Sequence, residues 1–272
     1  MSNPHLQSIL NSFRQRTPLR VGSLIVTIFG DAVLPYGEFV RLTSLLEVTS
    51  NIGIDDGAVR VAVHRLEKDG WLKKRKVGRN VLYALSKAGE EQSRTARKFI
   101  YGFDEQPDCG ELQMLIMAEG PGRAEVREHL IENGWGLIAA NIVLTSGSKT
   151  QLSALNGLSG NDSHYLVPLK ADNSEVQRLC SKAWSLDNLN DEYANFVGLY
   201  QPIIEDVRAS RKYLQSNALV LRILMIHDYR RLILKDPLLA SQYLPKNWQG
   251  SKTRDIVSGA YSALKQQTKD WF

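Results

Sequence analysis

The stretch from Asp55 to Leu85 constrains this chain most. Val59, Ala62, Val63 and Leu66 recur at i, i+3, i+4 and i+7, which predicts an amphipathic helix over Asp55–Lys68 with one buried stripe. Asp55 is a good N-cap, and Asp69-Gly70 ends the helix. The period then changes. Trp71 to Lys76 and Val81 to Leu85 read as two strands joined by the turn Val77-Gly78-Arg79-Asn80, a β-hairpin with a basic tip. Trp71 is read as core, because the hairpin must pack back onto the helix it follows.

Charge is concentrated on this stretch. The 272 residues carry a net formal charge of +5. Residues 1–102 hold 16 Lys and Arg against 9 Asp and Glu, a net +7, and the remainder is −2. Eight basic residues lie between Arg60 and Asn80, so the basic balance is local. A local basic stripe attracts polyanions, since neutralising phosphates releases condensed counterions. A solvated charged face is the plain alternative.

The flanking pattern favours a nucleic-acid surface. Gly37 to Leu46 reads as a helix, with Phe39, Leu42 and Leu45/Leu46 on one face, and Asn51-Ile52-Gly53-Ile54 as a turn. Helix, turn, helix and basic hairpin make a winged helix-turn-helix. A helix entering the major groove needs an apolar stripe to hold it and a polar face to read base edges. Gly57 and Ala58 are small enough to let the backbone approach DNA. Arg60, Val61, His64, Arg65 and Lys68 lie off the stripe. Arg60 and His64 can meet base edges, while Arg65 and Lys68 suit phosphates. In the wing, Lys73, Lys74, Arg75, Lys76, Arg79 and Asn80 would follow the backbone or enter the minor groove. A winged helix used for protein contacts is the rival reading.

The rest of the chain implies an α+β protein of three parts. Residues 1–102 form the DNA-binding part, 110–185 a central ferredoxin-like α/β domain and 186–272 a helical domain. Residues 1–18 read as a loose arm with a short helix, and Val21 to Phe29 as a strand or a buried helix. Ser86 caps a helix through about Phe99, and Gly102 to Gly110 is the linker. Glu111–Ala118, Leu137–Leu144 and Tyr165–Leu169 read as strands, with helices over Arg123–Asn133 and Ser174–Trp184. The fourth strand of such a sheet is expected in 146–163 or after Trp184. Beyond Leu189 the signal is helical: Asp191–Ser210, Asn217–Lys235 and Thr253–Lys269.

Other chemistries find little support. Gly134-Trp135-Gly136-Leu137-Ile138-Ala139 fits GxGxxA, but it follows a helix and opens a strand, the reverse of a dinucleotide site. Gly120-Pro121-Gly122-Arg123 reads as a plain turn. Two cysteines, Cys109 and Cys180, give no disulfide framework or zinc spacing, and the five histidines give no metal spacing. No cofactor is expected. A nuclease or other enzyme on the central domain would need an acid cluster or an activated nucleophile, and neither is visible. No secretory signal or membrane span is read, so a cytoplasmic protein is expected.

The segment Gly53-Ile54-Asp55-Asp56-Gly57-Ala58-Val59-Arg60-Val61-Ala62-Val63-His64-Arg65-Leu66 resembles the PaaX family. So do Gly70-Trp71-Leu72, Gly78-Arg79 and Tyr83-Ala84-Leu85. His227-Asp228-Tyr229-Arg230-Arg231-Leu232, Asp236-Pro237-Leu238-Leu239 and Leu244-Pro245 extend the likeness, which spans about residues 19–250. The resemblance implies a homodimeric repressor of phenylacetic acid degradation. It would bind an inverted repeat in double-stranded DNA and be released by an aryl-CoA thioester, usually phenylacetyl-CoA. His227, Tyr229, Arg230 and Arg231 are then candidates for effector binding, the arginines on CoA phosphates. The alternative is a salt-bridged helix surface at a domain interface, in which Asp228 pairs with Arg231 or Arg230 pairs with an acid elsewhere.

Overall fold

The computed structural model describes residues 4–35, 39–103, 110–156, 164–170, 172–209 and 212–268. In chain order, α1 (Pro4–Arg14) and α2 (Val21–Ile28) come first, and α2 runs into a π-helical turn, Phe29–Val33. β1 (Val40–Arg41), α3 (Leu42–Ile52), α4 (Asp56–Lys68), β2 (Leu72–Val77), β3 (Asn80–Leu85) and α5 (Lys87–Tyr101) follow. Next are β4 (Gln113–Met117), α6 (Arg123–Glu132), β5 (Gly136–Ala139), β6 (Ile142–Thr145), α7 (Lys149–Ser153), β7 (His164–Pro168) and α8 (Asn173–Trp184). Then come α9 (Leu186–Arg208), α10 (Gln215–Ile233) and α11 (Gly250–Gln267). The architecture is α+β. It has N-terminal helices with a small antiparallel sheet, a central four-stranded antiparallel sheet and a helical C-terminal region.

Two compact units result. One is formed by 1–103, 195–234 and 251–272, the other by 104–194 and 235–250.

In the first unit α10 is the central element. Ala218 to Tyr229 are all buried, so the helix is enclosed on every side rather than along one stripe. It packs against α1, α2, α3 and α5. Val21–Phe29, ambiguous in sequence, is helical through Ile28, and Leu24, Ile25, Ile28 and Phe29 have no exposed surface. The N-terminal segment is no loose arm. Leu6, Ile9, Leu10 and Phe13 of α1 are core residues, and Arg14 Nε donates to the Ile52 carbonyl at 2.9 Å, satisfying the end of α3.

The helix expected over Gly37–Leu46 is displaced. Val40–Arg41 is instead a short strand, and the helix runs from Leu42 to Ile52, through the residues read as the start of a turn. Gly37 lies outside the described residues. Two strand residues suffice to extend the hairpin sheet, where Val40 pairs with Tyr83 and Arg41 with Leu82.

In the second unit the sheet order is β5-β6-β4-β7, all neighbours antiparallel. The fourth strand was sought in the wrong place. The apolar run Leu137–Leu144 is not one strand but the hairpin β5–β6, turning at Ala140-Asn141 with an irregularity between Leu137 and Ala139. A run broken only by Asn141, with no Gly or Pro, hides so tight a turn. Leu115, Met117, Leu130, Trp135, Val143 and Ala154 form the core on this sheet. Gln151 is buried there with both ends satisfied. Its Oε1 accepts from Thr145, Ser146 N and Ser146 Oγ at 2.7–2.9 Å, and its Nε2 donates to the Gly134 carbonyl at 2.7 Å.

The Gly134-x-Gly136 pattern has a packing cause. Gly134 ends α6 at φ +87°, and a Cβ on Gly136 would lie 2.7 Å from both Ala183 and Trp184 of α8. Cys180 sits in the second cluster of this unit, where burial pushes its thiol up to about 12, so it is an inert packing residue.

Candidate nucleic-acid interface

The candidate surface begins with a turn. α3 ends at Gly53, whose φ of +88° lets the chain reverse, and Ile54 is buried beneath the turn. Asp55 then caps α4, its side chain accepting from the Ala58 N–H at 3.1 Å. Val59, Val63 and Leu66 are buried, and α2 and α3 pack against this helix. Ala62, expected in the same stripe, is half-buried at its edge.

The opposite face is open. Gly57, Ala58, Arg60, Val61, His64, Arg65 and Lys68 are all exposed, Val61 at 70%. Arg60 and Lys68 make no ion pair among the described residues, so their charge is available. Arg65 lies 3.6 Å from Asp69, and His64 3.9 Å from Glu67; both are loose solvent contacts.

The hairpin carries the second part. β2 and β3 pair from Leu72↔Leu85 to Val77↔Asn80, leaving Gly78-Arg79 as a two-residue loop. Gly78 has φ +60°, which a Gly-first hairpin loop of this length requires. Every residue from Lys73 to Asn80 is exposed. Lys74 is tied to Glu67 of α4 at 2.7 Å, and that hydrogen bond raises its pKa. The Arg75 guanidinium lies 4.2 Å from the Phe39 ring centroid, and Lys73 Nζ 5.5 Å. These contacts hold the hairpin in place beside α4. Lys76, Arg79 and Asn80 are left at the tip. Trp71 is half-buried and faces away from the basic face, inside the unit.

The PaaX-like protein model matches residues 20–89, and the PaaX-like protein C-terminal domain matches residues 184–272. The chain belongs to the PaaX-like family. Transcriptional repressor PaaX of Escherichia coli (strain K12) is 29% identical over 257 residues, 91% of this chain and 81% of that one. An uncharacterized protein from Mycobacterium tuberculosis, Rv0674, has a similar fold. Its TM-score is 0.55 at 16% identity, covering 92% of this chain and 97% of that one.

The PaaX-like C-terminal match includes α10, where sequence placed four effector residues. They do not share one environment. His227 and Tyr229 are buried in the core. His227 Nδ1 lies 3.0 Å from Thr27 Oγ1, and burial pushes its pKa down to about 4. Arg230 is half-buried and Arg231 exposed. The expected Asp228–Arg231 pair is not formed. Asp228 instead takes a bidentate contact from Arg16 at 2.5 and 2.8 Å, and the Tyr200 hydroxyl at 2.8 Å. A helix buried on all sides turns Asp228 toward the N-terminal segment rather than along its own axis.

Sequence reasoning missed Arg97, Asp31 and Thr27. Arg230, Arg97, Thr27, Trp71 and Tyr101 line a small open cleft between α2, α5 and α10. The available signal was a charge inside an apolar run. Asp31 sits within Val21–Val33 and Arg222 within Ala218–Ile226, and isolated charges in such runs must find partners. They find each other, Arg222 Nε to Asp31 Oδ2 at 2.7 Å.

Proposed function

We propose that this chain is a DNA-binding transcriptional repressor, reading operator DNA with α4 and the β2–β3 wing of a winged helix-turn-helix. One observation carries this reading. α4 buries Val59, Val63 and Leu66 while presenting Gly57, Ala58, Arg60, Val61, His64, Arg65 and Lys68, beside an exposed strand of Lys73, Lys74, Arg75 and Lys76. That pairing suits a helix in the major groove and a hairpin along the phosphates. The named function of the Escherichia coli relative supports it. The chain is then a regulator and not an enzyme.

The finer reading follows the family. The protein would act in the cytoplasm as a homodimer on an inverted repeat, whose half-site spacing matches the separation of two α4 helices. Its operon would serve degradation of a phenylacetate-type aromatic acid, and an aryl-CoA such as phenylacetyl-CoA would release it. Residues 1–102 read DNA. Residues 110–185, whose β-α-β-β-α-β order and strand arrangement suit a ferredoxin-like frame, and 186–272 serve assembly and effector response.

An electrophoretic shift series tests the surface. Arg60→Ala should relax base preference at one position, costing about 1–3 kcal/mol on the preferred operator. Arg79→Ala and Lys76→Ala should weaken all duplexes alike and lower the salt slope by about 1 each. Wing variants with an unchanged salt dependence would remove the wing from the interface. Cleavage of labelled duplex with Mg²⁺, in place of retardation, would overturn the repressor reading.

A further inference from the structure

α4 turns an apolar side chain to the point farthest from its buried stripe. Val59 and Val63 are buried, and Val61 lies two residues from each, about 200° round a helix that turns about 100° per residue. Val61 is 70% exposed. Its neighbours on that face, Gly57, Ala58, His64 and Arg65, are exposed as well, so nothing on α4 covers it.

The fold itself does not call for this residue. A β-branched side chain on a solvent-facing helix surface lowers helix stability relative to Ala, Lys or Arg, and here no burial offsets that cost. Gly57 differs, because it has a cause inside the fold. A Cβ there would lie 2.8 Å from Asp55 Oδ1, the oxygen that caps the helix.

The same helical angles place the charge. Arg60 and His64 fall on one flank of Val61 and Arg65 on the other, while Lys68 continues its line two turns on. The exposed strand Lys73–Lys76 is tied to this helix through Lys74 and Glu67. An apolar crest between cations matches a polyanion with charged walls and an apolar group on the floor between them. The major groove of duplex DNA has that form. Phosphates line its rims, and the thymine C5-methyl is the apolar group on its floor. A protein partner would need an apolar core wider than one side chain, and Val61 stands alone among polar and charged residues.

We propose that Val61 is a specificity-determining residue, packing on the 5-methyl group of one thymine in the site that α4 reads. It selects a T·A pair by shape, where Arg60 beside it selects by hydrogen bonds. This inference rests on the DNA-binding reading above.

A duplex selected by the full chain from a random pool supplies the probe for an electrophoretic shift series. Each thymine is replaced singly by deoxyuridine, which removes the methyl group and leaves every hydrogen-bonding group in place. At one position the native chain should bind about fourfold more weakly, the worth of one buried carbon. Val61→Ala should lose about as much on the thymine duplex, and at that position it should no longer tell thymine from deoxyuridine. Its response to every other thymine should be that of the native chain. The site is exposed and Ala is the better helix former, so the variant keeps its fold. Arg60→Ala is the contrast, weaker on both duplexes with the methyl effect intact.

The proposal is overturned if no single deoxyuridine weakens binding or if the methyl effect survives in Val61→Ala. It is overturned too if Val61→Ala changes the oligomeric state and leaves duplex affinity as it was. Retardation of the all-thymine duplex is scored by itself. A chain that selects and retards no duplex loses the DNA-binding reading and this inference with it, whereas retardation without a methyl effect removes this inference alone.

Discussion

Asp31→Ala is expected to unfold the first unit at a temperature roughly 10 °C lower than the native chain, a loss of about 3–5 kcal/mol. Asp31 and Arg222 are a fully buried ion pair, their side chains 0% and 1% exposed. Arg222 Nε donates to Oδ2 at 2.7 Å, its Nη2 to the Asp31 carbonyl at 3.0 Å, and its Nη1 to Thr268 Oγ1 at 2.6 Å. Removing the carboxylate takes from the buried Arg222 guanidinium the counterion that Asp31 supplies. It also takes the acceptor from the Tyr101 and Tyr261 hydroxyls, whose pKa values burial already holds well above the ordinary range. The pair joins the π-helical turn, α10 and the end of α11, three segments distant in sequence. The loss should therefore appear as a single shifted transition by calorimetry, not as local fraying. Asp31→Leu combined with Arg222→Met should recover most of it, because an apolar pair of similar volume carries no desolvation cost. A double variant no more stable than Asp31→Ala would show that the hydroxyl network, rather than the lost Asp31–Arg222 pair, sets the penalty.

The surface elements were legible in the sequence because each follows one local rule. Asp55 caps α4, Val59, Val63 and Leu66 face inward, and Gly78 permits the hairpin loop, all from signals within a few residues. The basic face followed from those, since residues off the stripe have to face solvent. The hidden features are long-range. Asp31 meets Arg222 across 191 positions, and Asp228 meets Arg16 across 212. Periodicity places a charge in an apolar run but does not name its partner. In His227–Arg231 the sequence offers Asp228 a local partner only in Arg231 at i+3, because i, i+3 and i, i+4 neighbours are the contacts a helical sequence displays, and Arg16 is out of its reach. Arg97 was invisible for the opposite reason. In Arg94-Thr95-Ala96-Arg97-Lys98 it looks like any solvated helix charge, and only the packing of α5 against α10 and the π-helical turn brings it into the cleft. The β5–β6 hairpin was lost in a run that contains neither Gly nor Pro.

Acid should weaken the first unit in a defined window. His227 is buried, and its pKa of about 4 lies below the ordinary 6.5. Burial is the main cause. Asp228 pulls the other way, and Arg230, Arg16 and Arg231 add to the depression. The Thr27 hydroxyl donates to the Ser23 carbonyl at 3.1 Å and accepts from Arg230. It therefore accepts from His227 as well, which places the proton of the neutral ring on Nδ1. A second ring proton would have to be carried by a buried ring packed T-shaped with Phe13, their centroids 5.9 Å apart. Between pH 6.5 and 4 the unfolded chain takes up this proton and the folded chain does not. Stability is thus complete above about pH 6.5 and falls as the pH drops toward 4, by on the order of 3 kcal/mol. Urea midpoints at pH 7, 6, 5 and 4.5 should decline steadily for the native chain. His227→Gln keeps an amide donor for Thr27 but has no proton to gain, so its midpoints should vary far less across that range, from a lower starting value. Equal slopes for the two proteins would remove His227 as the origin of the acid sensitivity and shift it to the exposed carboxylates.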